Sequence, residues 1–284
     1  MITSTKNQRI VDARKLSQRK HRLRQNRFLV EGLQLLGLAV EAARRPEMRA
    51  KIIPHEIFYS EALFSGDSAP RLLTDLSALG GEAIPVAPHV LDTLSDRDTS
   101  QGLLATFALA ELETTLESIT NYQLPITNYQ LPPLLLILDR LQDPGNLGTL
   151  LRTADAAGVR AVILLEPCVD PFDPKTVRGT MGSLFNVPFA RTAEPAALLP
   201  QLAKMGYHVI GADGSRGRPP WQSEALVGPV ALVLGNEARG LSPELQPHLA
   251  DYVSLPLLGR AESLNVAIAG GVLMYEWLRL NAPT

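Results

Sequence analysis

The sequence predicts an α/β protein with two domains. The larger, C-terminal domain is predicted to have a mostly parallel sheet with helices on both faces, and the smaller N-terminal domain is also α/β. Apolar strand-like runs alternate with amphipathic helix-length segments along the chain. In the C-terminal half, the runs LLLILD, AVILL and VALVL are continuously apolar, as is typical of strands buried on both faces. Between the halves the alternation stops, and the heptapeptide ITNYQLP occurs twice in succession.

The N-terminal part carries the signals of a small α/β domain over residues 1–109. Residues 9–26 contain neither Pro nor Gly and are rich in helix formers, so we expect one basic helix there. Its expected apolar seam comprises Ile10, Ala13, Leu16 and Leu23. The other predicted elements are strands over 28–30, 52–59, 83–86 and 102–108, and helices over 33–45, 71–79 and 88–94.

A linker over residues 110–133 is predicted to precede the second domain, residues 134–284. We interpret the repeated ITNYQLP as an extended spacer because Pro ends each copy; base stacking by Tyr122 and Tyr129 is the alternative. Predicted strands cover 134–139, 161–165, 186–190, 207–212, 230–234 and 252–255. Predicted helices cover 147–157, 175–183, 195–205, a short segment after Ser242-Pro243, and the chain end from Val266.

Composition limits the possible function classes. With 284 residues, 45% of them hydrophobic, the chain can form one large or two ordinary cores. It has no apolar run long enough to span a bilayer and no secretory signal, so we expect a soluble cytoplasmic protein without a membrane partner. The one cysteine, Cys168, excludes an internal disulfide, and we interpret it as a structural thiol and not as a nucleophile. The five His are scattered, so no metal site is predicted.

Basic residues are concentrated at the N-terminus. Residues 1–30 hold nine Lys and Arg against one acid, although the whole chain has a formal charge of −2. Such a basic segment on an otherwise acidic protein predicts an arm that binds a polyanion; a solvated tail is the alternative.

Three glycine-containing loops each follow an apolar strand. QDPGNLGTLLRTA begins at Gln142, LGNEARGL at Leu234 and LPLLGRAESLNVA at Leu255. Doubly wound sheets bind ligands at the carboxyl ends of their strands, so we expect the three loops to converge on one cleft. For the Ser-Leu-Asn at 263–265, a simple helix cap is the alternative interpretation.

Several common site types are disfavoured by missing motifs. The sequence has no GxxxxGK[ST], and no GxGxxG follows a strand, which disfavours a nucleotide triphosphatase and an ordinary dinucleotide-binding dehydrogenase. It has no G-x-S-x-G and no His beside the three loops, which disfavours Ser-His-Asp hydrolysis.

In this order, the three loop sequences resemble the motifs of the SpoU (TrmH-like) branch of the SPOUT RNA methyltransferases. The resemblance includes DPKTVRGTMGSLFNVPF and, in the first hundred residues, the basic helix, FLVEG and TSQGLLA, which look like that family's RNA-binding domain. It implies methyl transfer from S-adenosyl-L-methionine to a ribose 2′-hydroxyl of RNA, by a homodimer with a trefoil-knotted core. Leu257 and Ala267 depart from the family pattern, in which Met and Ser are frequent at these positions.

The resemblance also assigns roles to individual residues. The implied catalytic centre comprises Asn146, Arg152, Glu237, Ser263 and Asn265. The implied cofactor site comprises Leu234, Gly235, Leu255, Leu257 and Leu264. On the basic helix, the predicted RNA contacts are Arg14, Lys15, Arg19, Lys20, Arg22 and Arg24.

Alternative interpretations remain for the roles of Arg152 and Glu237 and for the identity of the substrate. In this family Arg152 is the proposed proton acceptor, but arginine stays protonated, so gripping a phosphate and orienting the ribose is the chemically easier role. Glu237 is interpreted as orienting Arg152 or Asn146, with pairing to a helix dipole as the alternative. Ribosomal RNA of the large subunit is the preferred substrate by analogy of the N-terminal domain. Methylation of transfer RNA, methylation of another RNA position and non-catalytic RNA binding are the alternatives.

Overall fold

The computed structural model describes residues 1–96, 100–120 and 131–282, and the chain divides into two compact units. Unit 1 comprises Met1–Glu113 and Asp170–Asn186, and unit 2 comprises Thr114–Val169 and Val187–Thr284. The segment Asp170–Asn186, which the sequence analysis includes in the C-terminal domain, therefore groups with the N-terminal residues. As a consequence, the chain passes from one unit to the other three times.

Helices and strands alternate along much of the chain, with two pairs of consecutive helices in the first part and three strands in succession near the end. Up to residue 113 they are α1 (Gln8–Arg14), α2 (Arg19–Gln25), β1 (Arg27–Glu31), α3 (Leu33–Ala43), α4 (Pro46–Arg49), β2 (Pro54–Tyr59), α5 (Ser68–Ala78), β3 (Glu82–Pro85), α6 (Pro88–Asp92) and β4 (Leu103–Ala108). The later elements are α7 (Leu116–Thr120), β5 (Leu134–Asp139), α8 (Pro144–Ala156), β6 (Ala161–Leu165), α9 (Pro174–Gly179), β7 (Phe189–Thr192), α10 (Pro195–Lys204), β8 (His208–Ala212), β9 (Val230–Leu234), β10 (Asp251–Val253) and α11 (Val266–Asn281). Short 3-10 helices cover Lys15–Ser17, Glu61–Leu63, Ser183–Phe185, Pro220–Gln222 and Gln246–His248.

Unit 1 is a four-stranded mixed sheet with an aromatic core. The strand order is β1-β4-β2-β3, with β4 antiparallel to both neighbours and β2 parallel to β3. The ring of Phe28 lies 4.9 Å from that of Phe172, and the ring of Phe107 lies 5.5 Å from that of Phe185. Because Phe172 and Phe185 come from the later segment, that segment supplies part of the core of unit 1.

The single basic helix predicted over residues 9–26 is wrong, because Gln18 interrupts it. Gln18 has an extended backbone (φ −102°, ψ 130°), and α2 starts after it in a new rotational phase. Leu16 is buried as predicted, but Leu23 is 51% exposed. Arg22 takes the inward position, where its Nη2 lies 2.7 Å from Asp170 Oδ2. A buried guanidinium is tolerable here because a carboxylate pairs with it.

Unit 2 is built on six parallel strands in the order β10-β8-β9-β5-β6-β7. Every residue of β5, β6 and β9 is buried, so both faces of the sheet are covered, and the predicted fold class is confirmed. Gly270 allows α11 to pack closely, since a Cβ there would lie 2.6 Å from side-chain atoms of both Leu150 and Leu234.

Two predictions about local structure need correction. The strand predicted over 186–190 lies at Phe189–Thr192, because Ser183–Phe185 forms a 3-10 helix just before it. The extended spacer predicted over 110–133 contains a helix, Leu116–Thr120, and Ile119 of the first ITNYQLP copy is buried in the core of unit 2. The last five residues of that copy and most of the second, including Tyr122 and Tyr129, lie outside the described residues. Within the described ranges, no helix has the length and apolar character needed to cross a bilayer.

Candidate active site

Hydrogen bonds join the three glycine-containing loops in unit 2. Asn146 Nδ2 donates to Glu237 Oε1 at 3.1 Å, and Asn265 Nδ2 donates to Asn146 Oδ1 at 2.9 Å. Each residue comes from a different loop, at the carboxyl end of β5, β9 or β10. The predicted convergence of the loops is therefore observed, and we call these three residues the amide–carboxylate network.

Helix starts fix both amides of this network. Asn146 lies in the first turn of α8, where its backbone N–H donates to the Oδ1 atom of the N-cap residue Asp143 at 2.8 Å. Asn265 is itself the N-cap of α11, and its Oδ1 accepts from the backbone N–H of Ala267 at 2.9 Å. Its Nδ2 remains available for Asn146. The Asn265 side chain thus caps α11 through its oxygen and joins the network through its nitrogen. The interpretation of Ser-Leu-Asn as a helix cap is therefore compatible with its interpretation as part of the site.

The carboxylate of Glu237 is held at the start of α8. It accepts from the backbone N–H groups of Gln142 at 3.1 Å and Asp143 at 3.0 Å, in addition to Asn146. Partial burial acts to raise the pKa of Glu237, but its own backbone N–H, the Asn146 amide and these two N–H groups outweigh burial and lower the pKa. Glu237 therefore orients Asn146, and its place beside a helix N-terminus also agrees with the helix-dipole interpretation.

A cleft of about 540 Å³ lies along the loops. All five residues that the resemblance assigns to the cofactor line it: Leu234, Gly235, Leu255, Leu257 and Leu264. Glu237 and Ser263 line it too, whereas Asn146 and Asn265 are connected to it through Glu237. The volume is within the range of about 300–1,000 Å³ that is usual for sites of small molecules and cofactors.

The loop after β9 depends on two residues beside Glu237. A Cβ at Gly235 would lie 2.3 Å from the carbonyl carbon of Gly240, so only glycine allows the loop to fold back. Asn236 is buried and holds the turn: its Nδ2 donates to the Arg140 carbonyl at 2.7 Å, and its Oδ1 accepts from two N–H groups within the loop. This role of Asn236 was not predicted from the sequence, although Asn in a loop after a strand is a known turn signal.

A fourth loop, which was not predicted from the sequence, also lines the cleft. Asp213, Ser215 and Arg216 follow β8 in the segment GADGSRG. Asp213 Oδ1 accepts from the backbone N–H and the hydroxyl of Ser215, both at 2.8 Å, and Arg216 Nη1 donates to Gln246 Oε1 at 2.9 Å. The available signal was the same as for the other loops, a glycine-containing bend after an apolar strand.

Arg152 lies apart from the network. It is exposed on α8, six residues after Asn146, and it has no hydrogen bond or ion pair with any residue that the structure describes. It does not line the cleft. All its donors are therefore free to meet a ligand from solvent.

In unit 1, the predicted RNA contacts separate into exposed and buried side chains. Arg14, Arg19, Lys20 and Arg24 are exposed, and Lys15 is partly exposed with its Nζ 3.8 Å from Asp12 Oδ1. Arg22 is only 2% exposed, and its guanidinium is occupied by Asp170 and by the carbonyl groups of Leu16 and Ser17. Arg22 is thus not available to a phosphate, and its predicted role is corrected to a structural one.

The described residues indicate neither a cysteine nucleophile at Cys168 nor a metal site. Burial, followed by the nearby charges of Glu237 and Glu166, raises the pKa of the Cys168 thiol to about 12 despite two backbone hydrogen bonds that oppose the shift. The thiol is therefore protonated at neutral pH, as expected for a structural cysteine. Across 1–96, 100–120 and 131–282, no three His, Cys, Asp or Glu side chains are grouped so that they could hold a metal ion.

A ligand cleft at the carboxyl edge of a parallel sheet, bordered by a hydrogen-bonded polar network, is typical of α/β enzymes that bind a small molecule. The chain belongs to the SpoU rRNA methylase family, whose model matches residues 133–275. A second model, that of the MRM3-like substrate binding domain, matches residues 7–105.

Individual relatives agree with this assignment. The chain is 32% identical over 278 residues to the 23S rRNA (guanosine(2553)-2′-O)-methyltransferase RlmP of Bacillus subtilis (strain 168), covering 97% of this chain and 98% of the relative. The AdoMet-bound rRNA methyltransferase from Sinorhizobium meliloti has a TM-score of 0.81 and 32% identity, covering 98% and 97% of the two chains. The SpoU methyltransferase AviRb from Streptomyces viridochromogenes, solved with AdoMet, has a TM-score of 0.81 and 27% identity, covering 96% and 98%. The predicted family, fold class and enzyme class are confirmed.

Proposed function

We propose that the protein transfers the methyl group of S-adenosylmethionine to a ribose 2′-hydroxyl of 23S ribosomal RNA. The observation that carries this proposal is the hydrogen-bonded convergence of Asn146, Glu237 and Asn265 at a cleft of cofactor size. The RlmP relative is named for 2′-O-methylation of 23S rRNA, which favours ribosomal over transfer RNA. Two of the similar solved structures contain AdoMet, which supports the choice of cofactor.

The residues of the cleft fit this cofactor. Leu234, Leu255 and Leu257 supply apolar walls that suit an adenine ring, and the loop backbones offer hydrogen-bonding groups. The carboxylates of Asp213 and Glu237 also line the cleft and suit a ligand that carries positive charge. When bound, S-adenosylmethionine supplies an electrophilic methyl group.

The residues of the chain then position the acceptor ribose. Arg152 offers five donors in a fixed fork to an RNA phosphate and so orients the ribose. Asn146 is held in one orientation by Glu237 and Asn265, and this network fixes the polar side of the site before substrate arrives. A base role for Arg152 would require loss of a proton that arginine retains in proteins.

We also propose that two copies associate through α11. Ile268, Val272 and Tyr275 follow one another at helical spacing on this helix, and all three are exposed. An apolar helix face of this kind is typical of a contact with another protein surface. The proposed homodimer and trefoil knot are those implied by the family resemblance. We also propose a cytoplasmic location, because the proposed substrate is ribosomal RNA.

Methyl transfer and cofactor binding can be tested separately. Comparison of 2′-O-methyl sites in total RNA from cells with and without the gene should show one position of 23S rRNA that loses its methyl group. Loss at a transfer RNA position instead would replace the substrate. A rise in melting temperature with S-adenosylmethionine is expected, since ligands that bind the native state stabilise it. RNA binding with neither a thermal shift nor methyl transfer would indicate a non-catalytic protein.

A further inference from the structure

Unit 1 contains a second, smaller cleft that the proposed reaction does not use. Its volume is about 130 Å³, and four parts of unit 1 form its walls. Arg14 and Ser17 come from the end of α1 and the turn after it, Glu31 from β1, Asp96 from the turn after α6, and Arg178 from α9. The cleft thus includes a wall from Asp170–Asn186, the later segment that groups with the N-terminal residues.

Hydrogen bonds hold these walls in place. Glu31 is 8% exposed, and its carboxylate accepts from the Ser95 hydroxyl and, at 3.0 Å, from the backbone N–H of Asp96. The Asp96 carboxylate in turn accepts from Arg178 Nη1 at 2.8 Å. Because groups of the protein itself make these contacts, they fix the walls of the cleft relative to one another.

The lining combines three kinds of chemistry. The floor is apolar, from Leu29, Leu94 and Val177. The Glu31 carboxylate has about four acceptor positions, of which the residues that the structure describes use two, so it can accept further hydrogen bonds from a ligand. At the rim, Arg14 is exposed, and its guanidinium has no hydrogen bond or ion pair with the described residues. A suitable ligand would have an apolar ring for the floor, hydrogen-bond donors on that ring for the carboxylate, and an attached phosphate for the arginine.

We propose that this cleft binds one unpaired nucleotide of the RNA substrate. The base lies against the apolar floor, its amino or imino groups donate to Glu31 and Asp96, and a phosphate meets Arg14. Proteins recognise RNA mainly through such unstacked bases, and carboxylates accept from base amino groups. The inference rests on the proposed function insofar as RNA is the substrate.

Two variants of the full-length protein test the cleft, with RNA affinity as the readout. Arg14→Ala removes the rim cation, and Ser17→Trp places a large side chain in the cleft from an exposed position. Arg71→Ala is the matched control, since Arg71 is an exposed arginine of α5 in the same unit and does not line the cleft. The probe is an unmodified 23S rRNA transcript, titrated over a range of salt concentrations, and the dissociation constant of S-adenosylmethionine is measured alongside.

We expect Arg14→Ala and Ser17→Trp each to weaken RNA binding by about fivefold to tenfold, with unchanged affinity for S-adenosylmethionine. Arg14→Ala should also reduce the slope of log affinity against log salt by about 1. Wild-type affinity in Ser17→Trp would overturn the nucleotide pocket and leave Arg14 as a surface cation. If the wild type binds the transcript without methylating it, the proposed function fails. The RNA affinities of Arg14→Ala and Ser17→Trp still test the nucleotide pocket in that case. If the wild type does not bind the transcript, both proposals fail.

Discussion

The cofactor cleft of unit 2 and the basic helices of unit 1 hold their polar groups in opposite ways. Around the cleft, Asn146, Glu237 and Asn265 are fixed to one another and to helix starts. On the basic helices, Arg14 and Arg24 are exposed to solvent. The first region depends on geometry, so single atoms should matter. The second depends on charge, so salt and the number of cations should matter more than any one side chain.

The largest effect is expected at Arg152, which is in unit 2 but exposed in the manner of the basic helices. Arg152→Ala should lower kcat/KM for rRNA methylation by at least about 100-fold, because an oriented donor to the substrate is lost. Single-turnover methyl transfer from labelled S-adenosylmethionine would measure this. Near-normal turnover in Arg152→Lys would contradict both a bidentate phosphate grip and a base role.

The next largest effect is expected on RNA binding by the basic helices, without an effect on S-adenosylmethionine binding at the cleft. Substituting Gln for Arg19, Lys20 and Arg24 together should reduce the slope of log RNA affinity against log salt by about 2 to 3, with unchanged binding of S-adenosylmethionine. Truncation of residues 1–27 is a poorer test, because that segment also carries buried core residues and Arg22. Lys204→Gln, at an exposed position of α10, is the control. An unchanged salt slope in the triple variant would remove the basic helices from the RNA surface.

A smaller effect is expected for the network itself. Glu237→Gln keeps the shape of the side chain but removes the negative charge of the carboxylate that accepts hydrogen bonds from Asn146 and two backbone N–H groups. We expect kcat to fall by about tenfold, the size of one charge-assisted hydrogen bond, with little change in RNA affinity. Equal losses in kcat and RNA affinity would show that the carboxylate acts on the overall fold instead.

We also expect the effect of Glu237→Gln on the free energy of unfolding to depend on pH. Because the pKa of Glu237 is lowered below its ordinary value of 4.5, the carboxylate stabilises the native state above that value. This stabilisation is lost as the pH falls through the lowered pKa of the folded state. The difference in unfolding free energy between wild type and Glu237→Gln should therefore be constant near neutral pH and shrink below about pH 4.5. Urea unfolding at several pH values would measure it, and a difference that grows on acidification would contradict the assignment.

The smallest effect is expected at Cys168. With its pKa raised to about 12, the thiol should react slowly with Ellman's reagent at pH 8 in the native protein and rapidly after unfolding. Cys168→Ala should retain kcat/KM within about twofold. A large loss of activity would instead connect this thiol to the neighbouring site.

The parts that could be predicted from sequence are those set by the backbone and by apolar patterning. The strands Leu134–Asp139, Ala161–Leu165 and Val230–Leu234 have the predicted bounds, because continuous apolar runs end at polar or glycine residues. Convergence of the three loops also followed from their places after parallel strands.

Other features depend on tertiary partners that periodicity does not reveal. Arg22 is buried because Asp170, 148 residues away in sequence, pairs with it, and a helix pattern alone favours Leu23 for that place. Ile119 is buried although it opens a Pro-containing repeat. The role of Asn236 needed the loop geometry, since its partners are backbone groups.

The threefold passage of the chain between the units has a consequence for engineering. A fragment ending at residue 113 would contain Arg22 but not Asp170, and it would leave a guanidinium without its carboxylate in an apolar interior. It would also lack the rings of Phe172 and Phe185. Exchange of unit 1 between relatives therefore requires two separate segments, Asp170–Asn186 together with the first 113 residues.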